Sequence, residues 1–128
     1  MLSNSKLCTV LSTTDIEKAK KFYSETLGLK LMPDREVEEG GALLETEKGD
    51  QLYVYERSSA PKAENTAACF EVDDLEAEMT DLRAKGVTFE EYDFPGLKTE
   101  NGIATLGKLK SAWFKDPDGN ILCLNHVG

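Results

Sequence analysis

Few side chains here are of the kind that do chemistry, and their spacing narrows what that chemistry is. The one histidine, His126, stands three residues past Cys123, near the end of the 128-residue chain. Cys8 and Cys69 lie far from Cys123 and from each other. Three scattered thiols argue against a disulfide framework and for reduced cysteines in a cytoplasm. No Cys-x-x-Cys occurs, which excludes a zinc ribbon or finger by spacing. Acid–base work therefore falls to Glu71 or Tyr53, a partly desolvated carboxylate at position 71 being the better base. A cysteine nucleophile needs a neighbouring base or positive charge, and the sequence names none for Cys8 or Cys123. Tyr53, Tyr55 and Trp113, with Tyr92 and Phe94 as further candidates, suit a different task. Aromatic walls hold flat or cationic small molecules, each contact contributing on the order of 1 kcal/mol.

The elements that must position these residues are marked by turn and cap chemistry. Trp113 and Cys123 flank Asp116-Pro117-Asp118-Gly119-Asn120, where Pro117 fixes φ, Gly119 allows φ > 0 and the Asp and Asn side chains bond their own backbone. Apolar residues on both sides make this a hairpin. A second hairpin joins Ala42–Thr46 to Gln51–Glu56 through Glu47-Lys48-Gly49-Asp50. Leu7–Leu11 reads as a strand, and Thr14-Asp15-Ile16-Glu17 as a capping box with Thr14 as the cap. Ile16, Ala19, Tyr23 and Leu27 then recur at helical spacing up to Gly28. Leu29–Met32 and a polar turn at Pro33-Asp34 follow. Beyond an aperiodic connector, Arg57–Asn65, the pattern restarts. Ala67–Val72 is a strand, Asp73-Asp74-Leu75-Glu76 a second cap, and Leu75, Met79 and Leu82 mark a helix ending at Gly86. Val87–Glu91 is a further strand candidate. Tyr92–Lys110 shows no clear period and reads as a long loop with turns at Pro95-Gly96 and Asn101-Gly102.

Superposing Asp15 on Asp74 and Gly49 on Gly119 aligns the two halves as strand, helix and three strands, a duplicated βαβββ unit. One domain over residues 1–128 is expected, its modules spanning about 6–57 and 66–126. Neither module buries enough apolar surface alone. Along the strands, Leu11, Leu52, Val54, Phe70, Val72, Leu122 and Leu124 share one parity and should meet the helices. The opposite parity carries Cys8, Val10, Ser12, Tyr53, Tyr55, Ala67, Cys69, Glu71, Cys123 and Asn125. Such a mixture of small, aromatic and polar groups suits the lining of a ligand cleft.

Charge excludes several partners. The net charge is −9, and the fifteen Lys and Arg form no block longer than Lys20-Lys21. Nucleic acid and anionic membranes require clustered positive charge. No stretch approaches the roughly 20 apolar residues of a membrane span, and Met1–Lys6 has neither the basic start nor the apolar middle of a secretory signal.

Three runs in order, Asp15–Tyr23 leading to Leu27-Gly28-Leu29, Phe70-Glu71-Val72-Asp73-Asp74, and Phe114-Lys115-Asp116-Pro117-Asp118-Gly119-Asn120, resemble the glyoxalase, bleomycin-resistance and extradiol-dioxygenase superfamily, the vicinal oxygen chelate proteins. The resemblance covers nearly the whole chain. It implies an α+β fold in which two βαβββ modules form a cup-shaped half-open barrel, commonly in a homodimer, with the segment Pro95–Lys110 closing over the cup. Lys98, Lys108 or Lys110 would then meet an anionic group. In metal-using members, His and Glu on the first and last strand of each module hold a divalent ion. Carried over residue by residue, those positions fall at Cys8, Tyr53, Ala67 and Cys123, none of them His or a carboxylate. Hard and borderline ions need oxygen and imidazole ligands, so no metal and no other cofactor is expected. His126 is expected to be an exposed bystander on a fraying terminus. These readings lead to a metal-independent binder of a small organic molecule, lined by Tyr53, Tyr55, Trp113, Cys8, Cys69 and Cys123. The rival is a lyase- or dioxygenase-like enzyme, metal-free through Glu71 or a cysteine, or with atypical metal ligands. A scaffold pairing through its sheet edges has no positive signal.

Overall fold

The computed structural model describes residues 1–32 and 40–128, so the turn expected at Pro33-Asp34 lies outside the described residues. The fold is mixed α+β, in two compact units, Met1–Pro61 and Lys62–Gly128, each an open sheet with one main helix.

In the first unit β1 (Cys8–Thr13), α1 (Ile16–Lys21), β2 (Lys30–Leu31), β3 (Gly41–Glu45) and β4 (Gln51–Glu56) follow in order. The sheet runs β1-β4-β3-β2, with β1 parallel to β4 and the other pairs antiparallel. The helix cap is Asp15, whose carboxylate accepts from Lys18 N at 3.2 Å, and not the expected Thr14. Adjacent Thr and Asp are both cap formers. The register is decided by Thr13, buried in β1, whose hydroxyl accepts from Asp15 N and so places Asp15 at the helix entrance. Past Lys21 the helix widens into a π-helical turn over Phe22–Thr26, closed by Leu27 N bonding Phe22 O at 3.0 Å. Ala19 and Tyr23 point into the core against Leu11, Ala42, Leu44, Leu52 and Val54, all buried. Gly28, at φ +80°, ends the helix.

The second unit repeats the plan with an insertion. It contains β5 (Thr66–Glu71), α2 (Leu75–Ala84), β6 (Asp93–Phe94), β7 (Leu97–Glu100), β8 (Ile103–Leu106), β9 (Leu109–Lys115) and β10 (Ile121–Val127), ordered β5-β10-β9-β8-β7-β6. The central trio matches that of the first unit: β5 lies parallel to β10, and β10 antiparallel to β9. Asp74 caps α2 through Ala77 N at 3.1 Å. Leu75, Met79 and Leu82 bury one side of α2 with Phe114, Ala112, Leu122 and Leu124 of the sheet. The Asp116–Asn120 turn is held by the buried Asp116 carboxylate, which accepts from Asp118 N, Asn120 N and Asn120 Nδ2 at 2.8–2.9 Å.

Three expectations are corrected in this unit. Tyr92–Lys110 is not a long loop. It forms β6, β7 and β8, which extend the sheet, because short alternating segments between Gly96, Asn101-Gly102 and Gly107 turn back on one another. The strand candidate Val87–Glu91 reduces to a single bridge, Phe89 to Phe114, where the two rings meet edge to face at 5.5 Å. The terminus is built into the sheet: β10 runs to Val127, and Gly128 N bonds Lys108 O at 3.1 Å. His126 is correspondingly half-buried, with Nδ1 2.9 Å from Val72 O.

Candidate functional site

Each sheet turns one face to its helix and leaves the other to be lined by the remaining parity. In the first unit that second face carries Tyr53 and Tyr55 of β4, whose half-buried rings stack with centroids 6.4 Å apart and planes 12° from parallel. Opposite them in register are Val10 and Ser12 of β1 on one side and Leu43 and Gly41 of β3 on the other. Gly41 has a steric reason to lack a side chain. Its partner is Tyr55, but the Tyr53 ring leans diagonally across it, and a Cβ there would come within 2.9 Å of Tyr53 Cζ and closer still to the hydroxyl. Cys8 is half-buried at the start of β1, across from Gln51, and Val10 is 55% exposed.

The second unit brings together more of the residues singled out from the sequence. Cys69, Cys123 and Trp113 form one row across β5, β10 and β9, each in register with the next. Cys69 is exposed and Cys123 is 2% exposed. Trp113 donates its indole N–H to Thr66 Oγ1 at 3.2 Å, so the ring spans β10 to reach β5. Beside it Tyr92 packs edge-on at 5.6 Å, and Phe94 packs on Tyr92 at 5.9 Å. Beneath, Ser111 donates to Asn125 Oδ1 at 2.7 Å, and the Cys123 thiol donates to the same oxygen at 3.1 Å. Burial first, then the adjacent Cys69 thiol, pushes Cys123 up to about 12 from an ordinary 9.0. The thiol is thus neutral at physiological pH and no nucleophile. Burial also raises Tyr92, with the Glu90 carboxylate adding to the effect and Lys115 opposing it. Glu71 is exposed at the end of β5, opposite Asn125. Lys98, Lys108 and Lys110 are exposed as well.

Two members of this cluster escaped the reading of the sequence. Thr66 counts, by simple alternation, to the helix-facing parity, but Ile121 pairs with Thr66 and Leu122 with Ala68. The extra residue, Ala67, is a bulge that resets the count and puts the Thr66 hydroxyl on the side of Trp113. Ala67 is therefore not the ladder partner that an unbroken strand would make it. Ser111 had a usable signal, since it lies two residues before Trp113 and so shares its face. Tyr92 is positioned by the strands that replace the expected loop. Thr99 of β7 accepts from Tyr92 N at 2.8 Å and bonds Tyr92 O through its own N–H at 2.9 Å. The Glu91 carboxylate in turn ties Thr99 Oγ1 and Gly102 N together.

A family model described as Glyoxalase/Bleomycin resistance protein/Dioxygenase superfamily matches residues 7–124, and the chain belongs to that superfamily. Solved structures agree in fold. A superfamily member from Sphaerobacter thermophilus DSM 20745 superposes with a TM-score of 0.74 at 20% identity, covering 98% of this chain and 99% of that one. An antibiotic binding protein from Streptomyces sp. CB03234 gives 0.68 at 25% identity, with 98% of each chain covered. An integron cassette protein from the mobile metagenome of V. cholerae gives 0.64 at 26% identity, over 97% of this chain and 96% of that one.

The residues at the superfamily's metal-ligand positions do not fit a divalent ion. Cys8, Tyr53, Ala67 and Cys123 offer a thiol, a phenol, a methyl group and a thiol that burial keeps protonated. Among the described residues, no group of three or more His, Cys, Asp and Glu side chains is placed to hold an ion. None of the described helices is long and apolar enough to cross a membrane.

Proposed function

We propose that the protein binds a flat organic small molecule against an aromatic-lined sheet surface, without a metal ion, and performs sequestration or sensing. The observation that carries this reading is the Trp113 cluster. An indole whose N–H is already bonded to Thr66 offers its ring, and not a hydrogen bond, to an incoming molecule. Tyr92 packs edge-on against it and Phe94 edge-on against Tyr92 in turn, the geometry in which rings add on the order of 1 kcal/mol per contact. The stacked Tyr53 and Tyr55 present a second aromatic surface of the same kind in the first unit. The 25%-identical Streptomyces protein, named as antibiotic binding, supports the reading. The net charge of −9 favours neutral or cationic ligands over anions. In this proposal the protein acts as a cytoplasmic homodimer, which light scattering of the purified chain checks directly.

Trp113 is the chain's single tryptophan, so its emission is a built-in probe. Titration with polycyclic aromatic and peptide-like antibiotics is expected to quench or shift that emission and to raise Tm. A ligand at 100 times its Kd adds roughly 2.7 kcal/mol to the folded state. Trp113→Ala should abolish the thermal response. Near-stoichiometric Fe, Mn, Ni or Zn in protein purified without chelator, or a full thermal response in Trp113→Ala, overturns the proposal.

A further inference from the structure

The row Cys69–Cys123–Trp113 holds two thiols that the aromatic reading leaves unused. Cys69 and Cys123 are direct partners on adjacent parallel strands, so their side chains stand next to each other on one face of the sheet. One is exposed and the other is buried behind it, an arrangement with an entrance and an inner ligand. Strand spacing decides what such a pair can take. Neighbouring strands lie about 4.8 Å apart, and side chains stand roughly perpendicular to the sheet. A disulfide requires the Cβ atoms to close to about 3.8 Å, so bonding the pair would pull the two strands together. With metal–thiolate bonds of roughly 2.3 Å, a linear S–M–S unit sets its sulfurs about 4.6 Å apart, close to the spacing the sheet already has.

We propose that Cys69 and Cys123 form a two-thiol site for a thiophilic, two-coordinate monovalent ion, of which Cu(I) is the representative. Soft thiolate ligands select this class of ion over Mg, Ca or Mn. With two donors and no third His, Cys, Asp or Glu grouped there among the described residues, the site suits linear coordination and not tetrahedral zinc. Binding breaks two S–H bonds, forms two S–Cu bonds and releases two protons to solvent; no electron is transferred. Asn125 Oδ1, which accepts from the Cys123 thiol and from Ser111, loses the thiol proton and keeps the hydroxyl, so the inner ligand is freed without stranding a buried acceptor. The site stands independently of which organic molecule the aromatic surface holds.

The test is anaerobic titration of the reduced full-length protein with Cu(I) against a chromophoric Cu(I) chelator, following Trp113 emission in parallel. Trp113 is the in-register neighbour of Cys123, so quenching reports occupancy at this place. One ion per chain should bind with quenching in step, and two protons should be released per ion. X-ray absorption should show two sulfur neighbours. Cys69→Ser and Cys123→Ala should each weaken binding more than about tenfold, while Cys8→Ser, which removes the thiol of the other unit, leaves affinity and quenching unchanged. Cys69 is exposed, so Cys69→Ser remains informative if Cys123→Ala fails to fold. Undiminished binding or quenching in Cys69→Ser, or loss of both in Cys8→Ser, overturns the proposal.

Discussion

Replacing Gly41 by alanine tests the packing of the first unit in a way that separates one contact from all others. Gly41 lies in β3 opposite Tyr55, and a methyl group there meets the Tyr53 ring, 2.9 Å from Cζ, with the hydroxyl nearer still. The ring must swing away or the strand must shift. Overpacking of this size costs typically 1–3 kcal/mol. Against it stands a gain of about 0.4–1 kcal/mol, because alanine restricts the unfolded chain more than glycine does. Gly41→Ala should therefore lose about 1–2 kcal/mol, a fall in Tm of roughly 4–8 °C for a chain of this length. In a Tyr53→Ala background the obstacle is gone and only the gain remains, so the same change should stabilise by about 0.5 kcal/mol. The four proteins of that cycle, compared by thermal and urea unfolding, give the coupling directly. Near-ultraviolet circular dichroism should also change in Gly41→Ala as the parallel stack of Tyr53 on Tyr55 is disturbed. Equal destabilisation in both backgrounds would refute the reasoning, since the tyrosine would then not be what excludes a side chain.

Three further expectations follow from the second unit. Thr66→Val removes the acceptor of the indole N–H while keeping the side chain's shape; ligand affinity should fall about fivefold, the equivalent of roughly 1 kcal/mol, with a shift in Trp113 emission, and unaltered emission would deny the bond a positioning role. Asp116→Ala strips a buried carboxylate from two backbone N–H groups and one amide, and should cost about 3–5 kcal/mol in chemical unfolding; a loss under 1 kcal/mol would mean the turn closes without it. For Cys123, held at about 12 in the folded chain against 9.0 ordinarily, the neutral thiol is the form that folding favours. Its contribution to stability is complete below pH 9.0 and is lost as the pH rises toward about 12. Thiol-reactive dye at pH 8 should accordingly label Cys69 and spare Cys123, and Cys123→Ala should flatten the alkaline decline in stability.

What the sequence revealed of this fold was local. Gly49 and Gly119 both adopt φ near +89°, and Asp15 and Asp74 both cap helices, so the duplication is written in residues whose conformation depends on their immediate neighbours. The alternation of β4 was equally legible: Leu52 and Val54 are buried, and Tyr53 and Tyr55 face the other way, half-buried. What escaped depends on distant partners. β6–β8 are short, polar and separated by glycine turns; pairing within the second unit's sheet makes them strands, and intrinsic preference does not. The half-burial of His126 likewise comes from Val72, fifty-four positions earlier in the chain. Which face a side chain takes was readable where the count runs without interruption, as for Trp113 and Cys123, and unreadable where it breaks, as for Thr66.

That break at Ala67 acts like a frameshift in three dimensions. Downstream of it, even and odd positions of β5 follow one count; at Thr66, upstream, the count is inverted. Deleting Ala67 would leave composition, charge and hydrophobic pattern almost untouched. The Thr66 hydroxyl would keep the side that Ile121 gives it, because Thr66 and Ala68 would then be consecutive opposite the consecutive Ile121 and Leu122, and the two strands would pair without a break. A relative that keeps residue 67 but pairs it in an unbroken strand would instead turn the residue before it toward the helix, and its counterpart of Trp113 would lose this hold.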